Sequence, residues 1–275
     1  MLILSHLIIN IDNSIMKINI SFLLVGLTLT ACSQTNSPWE LVFEDNFNNG
    51  ALDTNVWRRT YRGSADWQNT QSSDPRCIGF RVGCLLLRGI VNDNLETDTA
   101  HFLTGGVITE GLKPLPSPGR YEIRARLNAA RGAWPALWLL PYDGKAHPWP
   151  YGGEIDIMEE VGVNPDYVSS SLHAKGHYHV ENTQVTKEIK CPGAEGSFHT
   201  YGMEWTPEYF QFYVDGQKTL YYKNPGTGKR DWPYDANFYV IFNLAWGGDW
   251  GGSQGVDESA LPITMEVDWV RVWQK

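Results

Sequence analysis

The sequence has 275 residues, 42% of them hydrophobic and 19% charged, with a net charge of −9 at pH 7. That length and apolar content suit one large globular domain with a full core. The negative charge argues against nucleic acid as a partner and favours a neutral or polar ligand.

Met16-Lys17 opens a short positive region, and Ile18 to Leu29 is mostly apolar but too short to span a membrane as a helix. The run ends in Leu29-Thr30-Ala31-Cys32, which resembles a bacterial lipobox. Residues 1–32 are therefore expected to be a signal peptide, begun at Met1 or at Met16. Cys32 is expected to become the lipid-modified first residue of the mature chain. Residues 33–38 read as a short polar tether and 39–275 as a single domain. The expected place is the bacterial cell envelope, on a membrane but not across it.

Without Cys32 three cysteines remain, Cys77, Cys84 and Cys191. Outside the cytoplasm a pair is expected to oxidise. Cys77 and Cys84 bracket a plausible hairpin and are the favoured pair, with Cys191 open as an alternative partner. From Trp39 onward the signals are strand-like. Leu41-Val42-Phe43, Cys84 to Val91, Tyr121 to Leu127 and Phe210 to Val214 are short runs punctuated by Gly, Pro, Asn or Asp. Val214-Asp215-Gly216-Gln217 is a hairpin signal. Helical periodicity is nowhere sustained, and many short strands predict an all-β sandwich or jelly roll.

The stretch Gly152-Gly153-Glu154-Ile155-Asp156-Ile157-Met158-Glu159-Glu160 is strand-like yet carries acids among apolar neighbours. Plain alternation would place Glu154 and Asp156 on one face and Glu159 on the other. One extra residue at Ile157-Met158, a β-bulge, brings all three onto a common face. Carboxyl groups that face one another across a cleft are the machinery of glycoside hydrolysis, and a short gap between them gives retention of configuration. Asp156 is expected to hydrogen-bond Glu154 and hold the two outer pKa values apart. The aromatics add to this reading. Trp134, Trp138, Trp246 and Trp250 lie in Gly- or Pro-rich company, where a ring suits the stacking of a sugar face as well as core packing. Trp205, Trp269 and Trp273 read as structural. Asn243 could contact a sugar. Arg124 alternates with Glu122, which fits either a cleft contact or a surface ion pair. His177 and His179 lack a third ligand at metal spacing and read as a polar rim.

Glu154-x-Asp156-x-Met158-Glu159 resembles the catalytic signature of glycoside hydrolase family 16 in its laminarinase-like form. Gly132 to Leu140, Tyr201 to Pro207 with Val214-Asp215-Gly216, Asn243 to Gly252, and Val267 to Val272 resemble further motifs of that family, in the same order. The resemblance implies a concanavalin A-like jelly roll of two antiparallel sheets with a concave substrate cleft. It implies Glu154 as nucleophile, Glu159 as acid/base and Asp156 as their orienting partner. It places His173 near the acid/base. No cofactor is implied for catalysis. A structural Ca²⁺ is common in the family, and Asp268 stands at the matching position.

The expected activity is a retaining endo-β-glycosidase acting on a poly- or oligosaccharide, as a monomer. The resemblance points to a β-1,3 or mixed β-1,3/1,4 glucan. The stretch from Asp74-Pro75-Arg76-Cys77 to Ile90 departs from that pattern. It looks more like relatives that cut β-1,4-galactosidic bonds in mucin O-glycans or poly-N-acetyllactosamine. A lectin on the same sandwich is the alternative of another class.

Overall fold

The computed structural model describes residues 38–81, 83–112, 114–128 and 130–275; Cys32 and the expected signal peptide lie outside them. The described residues form one compact unit, Pro38–Lys275. In chain order their strands are β1 (Glu40–Asp45), β2 (Arg58–Arg59), β3 (Ile78–Arg81), β4 (Cys84–Val91), β5 (Phe102–Thr104), β6 (Gly106–Ile108), β7 (Arg120–Arg126) and β8 (Ala133–Pro141). There follow β9 (Glu154–Glu159), β10 (Tyr167–His173), β11 (Val185–Lys190), β12 (His199–Trp205), β13 (Tyr209–Val214), β14 (Gln217–Lys223), β15 (Phe238–Trp246) and β16 (Ile263–Gln274). One α-helical turn, α1 (Gly248–Gly251), follows β15.

These strands make two antiparallel sheets, as the punctuated short runs predicted. Seven strands run in the order β11-β10-β9-β8-β15-β6-β2, and the other sheet is built on β14-β13-β12-β7-β16-β4-β3 with β1 and β5 at its margins. Alternation decides which side chains enter the sandwich. On β15 Phe238, Val240, Phe242, Leu244 and Trp246 join the main core. Tyr239 and Ile241 instead join a second, smaller apolar cluster with Trp138, Ala136, Ile108 and Trp67 on the opposite face of the seven-stranded sheet. The predicted hairpin is present: Val214 pairs with Gln217, and Asp215 and Gly216 both take positive φ, 49° and 74°. A two-residue turn of that conformation matches the twist of its strands.

Three expectations are corrected here. Cys77, Cys84 and Cys191 are free and buried, not bridged. Arg81 pairs with Cys84 and Ile78 with Leu87, so the hairpin turns beside Cys84 while Cys77 lies at its open end. Four residues of strand, about 13 Å, separate the two, far beyond the reach of a disulfide. Arg124 is not a cleft residue. It lies on β7, in the sheet that lacks the three acids, between Ile123 and Ala125, which enter the core. Its guanidinium pairs with Asp268 and lies 4.5 Å from the centroid of the Phe198 ring. The carboxylate of Asp268, the residue at the position expected for Ca²⁺, thus pairs with a guanidinium of the chain itself. Trp246, 3% exposed, points into the core beside Phe102 rather than into a cleft.

Candidate active site

The acids of β9 share one face because the strand is bulged where predicted. Toward β8, Met158 pairs with Leu137 and Asp156 with Trp138, leaving Ile157 without an opposite number. Toward β10, Glu159 pairs with Ser169 and Asp156 with Ser171, so Ser170 alone faces Ile157 and Met158. The Ser170 hydroxyl donates to the Ile157 carbonyl over 2.8 Å and so satisfies the irregular backbone. Ile157 and Met158 are both buried in the main core, which leaves Glu154, Asp156 and Glu159 on the concave side. Just upstream Gly153 has φ +86°, and a Cβ there would stand 2.8 Å from the Tyr234 ring. Tyr234 in turn donates its hydroxyl to the His173 carbonyl over 2.9 Å, tying β10 to the approach of the catalytic strand.

Each acid has its own neighbours. The Trp134 indole N–H donates to Glu159 Oε1 over 3.0 Å. His173 Nε2 lies 3.1 Å from Asp156 Oδ2 and 3.7 Å from Glu154 Oε1. The register explains why: His173 pairs with Glu154, while Glu159 faces Ser169. His173 therefore stands beside the nucleophile position and Asp156, not beside the acid/base as the resemblance implied. The Trp149 indole also reaches Glu154 as a donor. Trp149 is braced by His179, 5.1 Å between ring centroids, and His179 meets His173 edge-on at 5.2 Å. These contacts put Trp149 and His179 in the site, though the sequence reading singled out neither as functional. The Gly- and Pro-rich company of Trp149, in Pro148 to Gly153, is the signal that could have found it.

Burial is the main force on the acids. It pushes Glu154 and Glu159 both up to about 8, with the charge of Asp156 adding to each. The charge of a protonated His173 opposes it at both acids, as do hydrogen bonds from the Trp149 indole on Glu154 and the Trp134 indole on Glu159. Asp156 is itself raised by burial. The middle acid thus lifts both outer ones instead of holding them apart, and the three titrate as a set. Glu154, Asp156 and His173 bring three potential ligand atoms within 4.8 Å, the one such group among the described residues.

Aromatic side chains extend the concave face to one side. Trp138 donates its N–H to Asn243 Oδ1 over 2.7 Å and receives Trp67 edge-on at 5.0 Å. Trp250, on α1 and 39% exposed, meets Trp134 edge-on at 5.6 Å and forms a rim. Asn243 is buried with its Nδ2 unpaired, so its amide can still donate. Opposite it sits Gly106, where a Cβ would come within 2.9 Å of Asn243 Cβ. Under them Gln71, fully buried, donates to Thr104 Oγ1 over 3.1 Å and to the Leu244 carbonyl over 2.9 Å. Nothing in the sequence marks Gln71, because its partners are distant along the chain. The other predicted site residues, Glu154, Asp156, Glu159, Trp134, Trp138, His173, Asn243 and Trp250, are gathered on this face.

A jelly roll whose concave face carries paired buried carboxyl groups beside a wall of tryptophans defines a glycoside hydrolase. Residues 99–271 match the family described as Glycosyl hydrolases family 16, and the chain belongs to that family. It is 38% identical to a β-glucanase of Rhodothermus marinus, over 91% of each chain. It is 32% identical to a keratan-sulfate endo-1,4-β-galactosidase of Sphingobacterium multivorum, over 90% of this chain and 58% of that one. The crystal structure of the laminarinase from Rhodothermus marinus superposes with a TM-score of 0.79 at 36% identity, covering 86% of this chain and 97% of that one.

Proposed function

We propose that the protein is a retaining endo-β-glycosidase that cuts internal bonds of a β-1,3 or mixed β-1,3/1,4 glucan. The observation that carries this reading is the bulged strand, which sets Glu154 and Glu159 on one face with Asp156 between them. Glu154 attacks the anomeric carbon while Glu159 gives its proton to the departing glycosidic oxygen. Glu159 then takes a proton from the water that releases the glycosyl group from Glu154. His173 and Trp149 favour the ionised form of Glu154, and Trp134 that of Glu159. Similarity to β-glucanases over nearly the whole chain supports the glucan.

A second reading, cleavage of β-1,4-galactosidic bonds in keratan-type or mucin O-glycans, is favoured by the Sphingobacterium relative and by the segment Asp74 to Ile90. Arg59 of β2 donates to the Asp74 carbonyl, so the start of this segment meets the far edge of the seven-stranded sheet, while β3 and β4 carry its remainder in the other sheet. Product analysis on laminarin, mixed-linkage glucan, keratan sulfate and mucin O-glycans separates the two. The glucan reading expects mid-sized oligosaccharides from laminarin or mixed-linkage glucan at the earliest times. Products from keratan or mucin glycans alone would replace it with the second reading.

We further propose that Cys32 is lipid-modified and tethers the domain to the cell envelope, on the strength of Leu29-Thr30-Ala31-Cys32. Cys32→Ala should release the protein from the membrane or leave it unprocessed. A variant that still fractionates with membranes at processed mass and takes up labelled palmitate would refute the anchor.

A further inference from the structure

The concave face continues well past the acids. Its register carries one row of side chains from Asp156 on β9 to Trp138 on β8, Ile241 on β15, Ile108 on β6 and Arg58 on β2. Four strand spacings of about 4.8 Å put Arg58 roughly 19 Å from the catalytic strand, several sugar rings away. The row ends in a distinct cluster. Arg58 donates from Nε to the Glu110 carbonyl over 2.8 Å and pairs with the Glu110 carboxylate. Its guanidinium lies 5.4 Å from the centroid of Tyr61, a ring that is 48% exposed. The Tyr61 hydroxyl lies 3.5 Å from Glu110 Oε2. Tyr239 links this cluster to the catalytic end. It packs against the Trp138 cluster, and burial raises its phenol, with the charge of Glu110 adding to the effect.

We propose that Tyr61, Arg58, Glu110 and Tyr239 form a distal subsite, which holds an uncharged pyranose ring of the same glycan whose scissile bond lies over Glu154 and Glu159. The inference rests on the glycosidase reading and deepens it. The exposed Tyr61 ring offers a flat face for sugar C–H groups, and the Arg58–Glu110 pair offers donors and acceptors for hydroxyls at its edge. Charge selects the ligand class. Arg58 is already matched by Glu110, and the neighbouring Arg62 by Asp98 at 2.7 Å. A sulfated or uronic ring would therefore bring a charge that these carboxylates oppose. None of the four residues takes part in bond cleavage, so the subsite acts by holding longer chains.

The test measures kcat/KM over an oligosaccharide length series, made from whichever polymer the wild type cleaves. The wild type should gain in kcat/KM with length until the distal subsite is filled. Tyr61→Ala should lower the ratio of kcat/KM for long over short substrates by about 2- to 10-fold, the range expected for one lost stacking contact. Glu110→Gln unbalances Arg58, and should raise kcat/KM for carboxymethylated long chains relative to neutral ones. A Tyr61→Ala enzyme that loses activity equally at every length, or that keeps the wild-type length dependence, would overturn the subsite. A wild type that cleaves no β-linked glycan would instead remove the glycosidase reading itself, and the subsite with it.

Discussion

Trp134 donates its indole N–H to Glu159 Oε1 over 3.0 Å and meets Trp250 edge-on at 5.6 Å, so one side chain both tunes the acid/base and begins the aromatic wall. The donor favours the ionised carboxylate and holds Glu159 lower than burial alone would leave it. Trp134→Phe keeps a ring but removes the N–H. Glu159 then rises, and because it must carry a proton to act as acid, the alkaline limb of kcat/KM moves to higher pH. An unmoved limb in the pH profile would separate Trp134 from the acid/base.

Glu160, next along the strand, is buried at 1% exposure, and neither of its oxygens meets a hydrogen-bond donor. The Glu195 carboxyl faces it, with Asp166 close by, and burial followed by Glu195 pushes Glu160 up to about 10. The folded protein thus holds a proton that an unfolded glutamate releases above about 4.3. The sign follows: this stabilisation is complete below about 4.3 and is lost as pH rises toward 10. Glu160→Gln cannot ionise, so its stability relative to wild type should grow between pH 5 and pH 9. Urea unfolding at both pH values measures this, and the difference between the two proteins cancels the contribution of the three catalytic acids. A constant difference across that range would contradict a proton held on buried Glu160.

Ile157 and Met158 together fill one position of the ladder, and the bulge they form is what turns Glu159 toward Asp156. Deleting Met158 leaves the acids at an even spacing, which simple alternation places on one face. Loss of a buried Met side chain costs about 2–5 kcal/mol, so the variant should be less stable yet retain measurable activity. A residue inserted after Met158 turns Glu159 into the core and should lower kcat by about 10²- to 10⁴-fold, the usual worth of a general acid. An insertion variant with near-normal kcat would defeat the bulge argument.

The sequence made some of this legible and hid the rest for physical reasons. Alternation and turn residues are local, so the sandwich, the Asp215-Gly216 turn and the bulge between Asp156 and Glu159 could be read directly. The side that a tryptophan faces depends on strand register. Trp138 and Trp246 look alike in sequence, but an odd or even count along their strands sends one to the concave face and the other into the core. The company of Arg124 is set by Asp268, 144 residues away, and no local pattern announces it. Cys77 and Cys84 failed as a pair because the hairpin turns at one end of their interval rather than in its middle. The levels of Glu154 and Glu159 depend on how deeply each is buried and on indole donors from other elements, Trp149 and Trp134.

The central claim is that Glu154 and Glu159 work by double displacement from one strand. It is tested most directly by proton NMR of the first-formed reducing ends, followed before mutarotation scrambles them. Retention predicts that the new reducing ends appear first as the β anomer. First products of α configuration would contradict the covalent intermediate on Glu154, and with it the roles assigned to both acids.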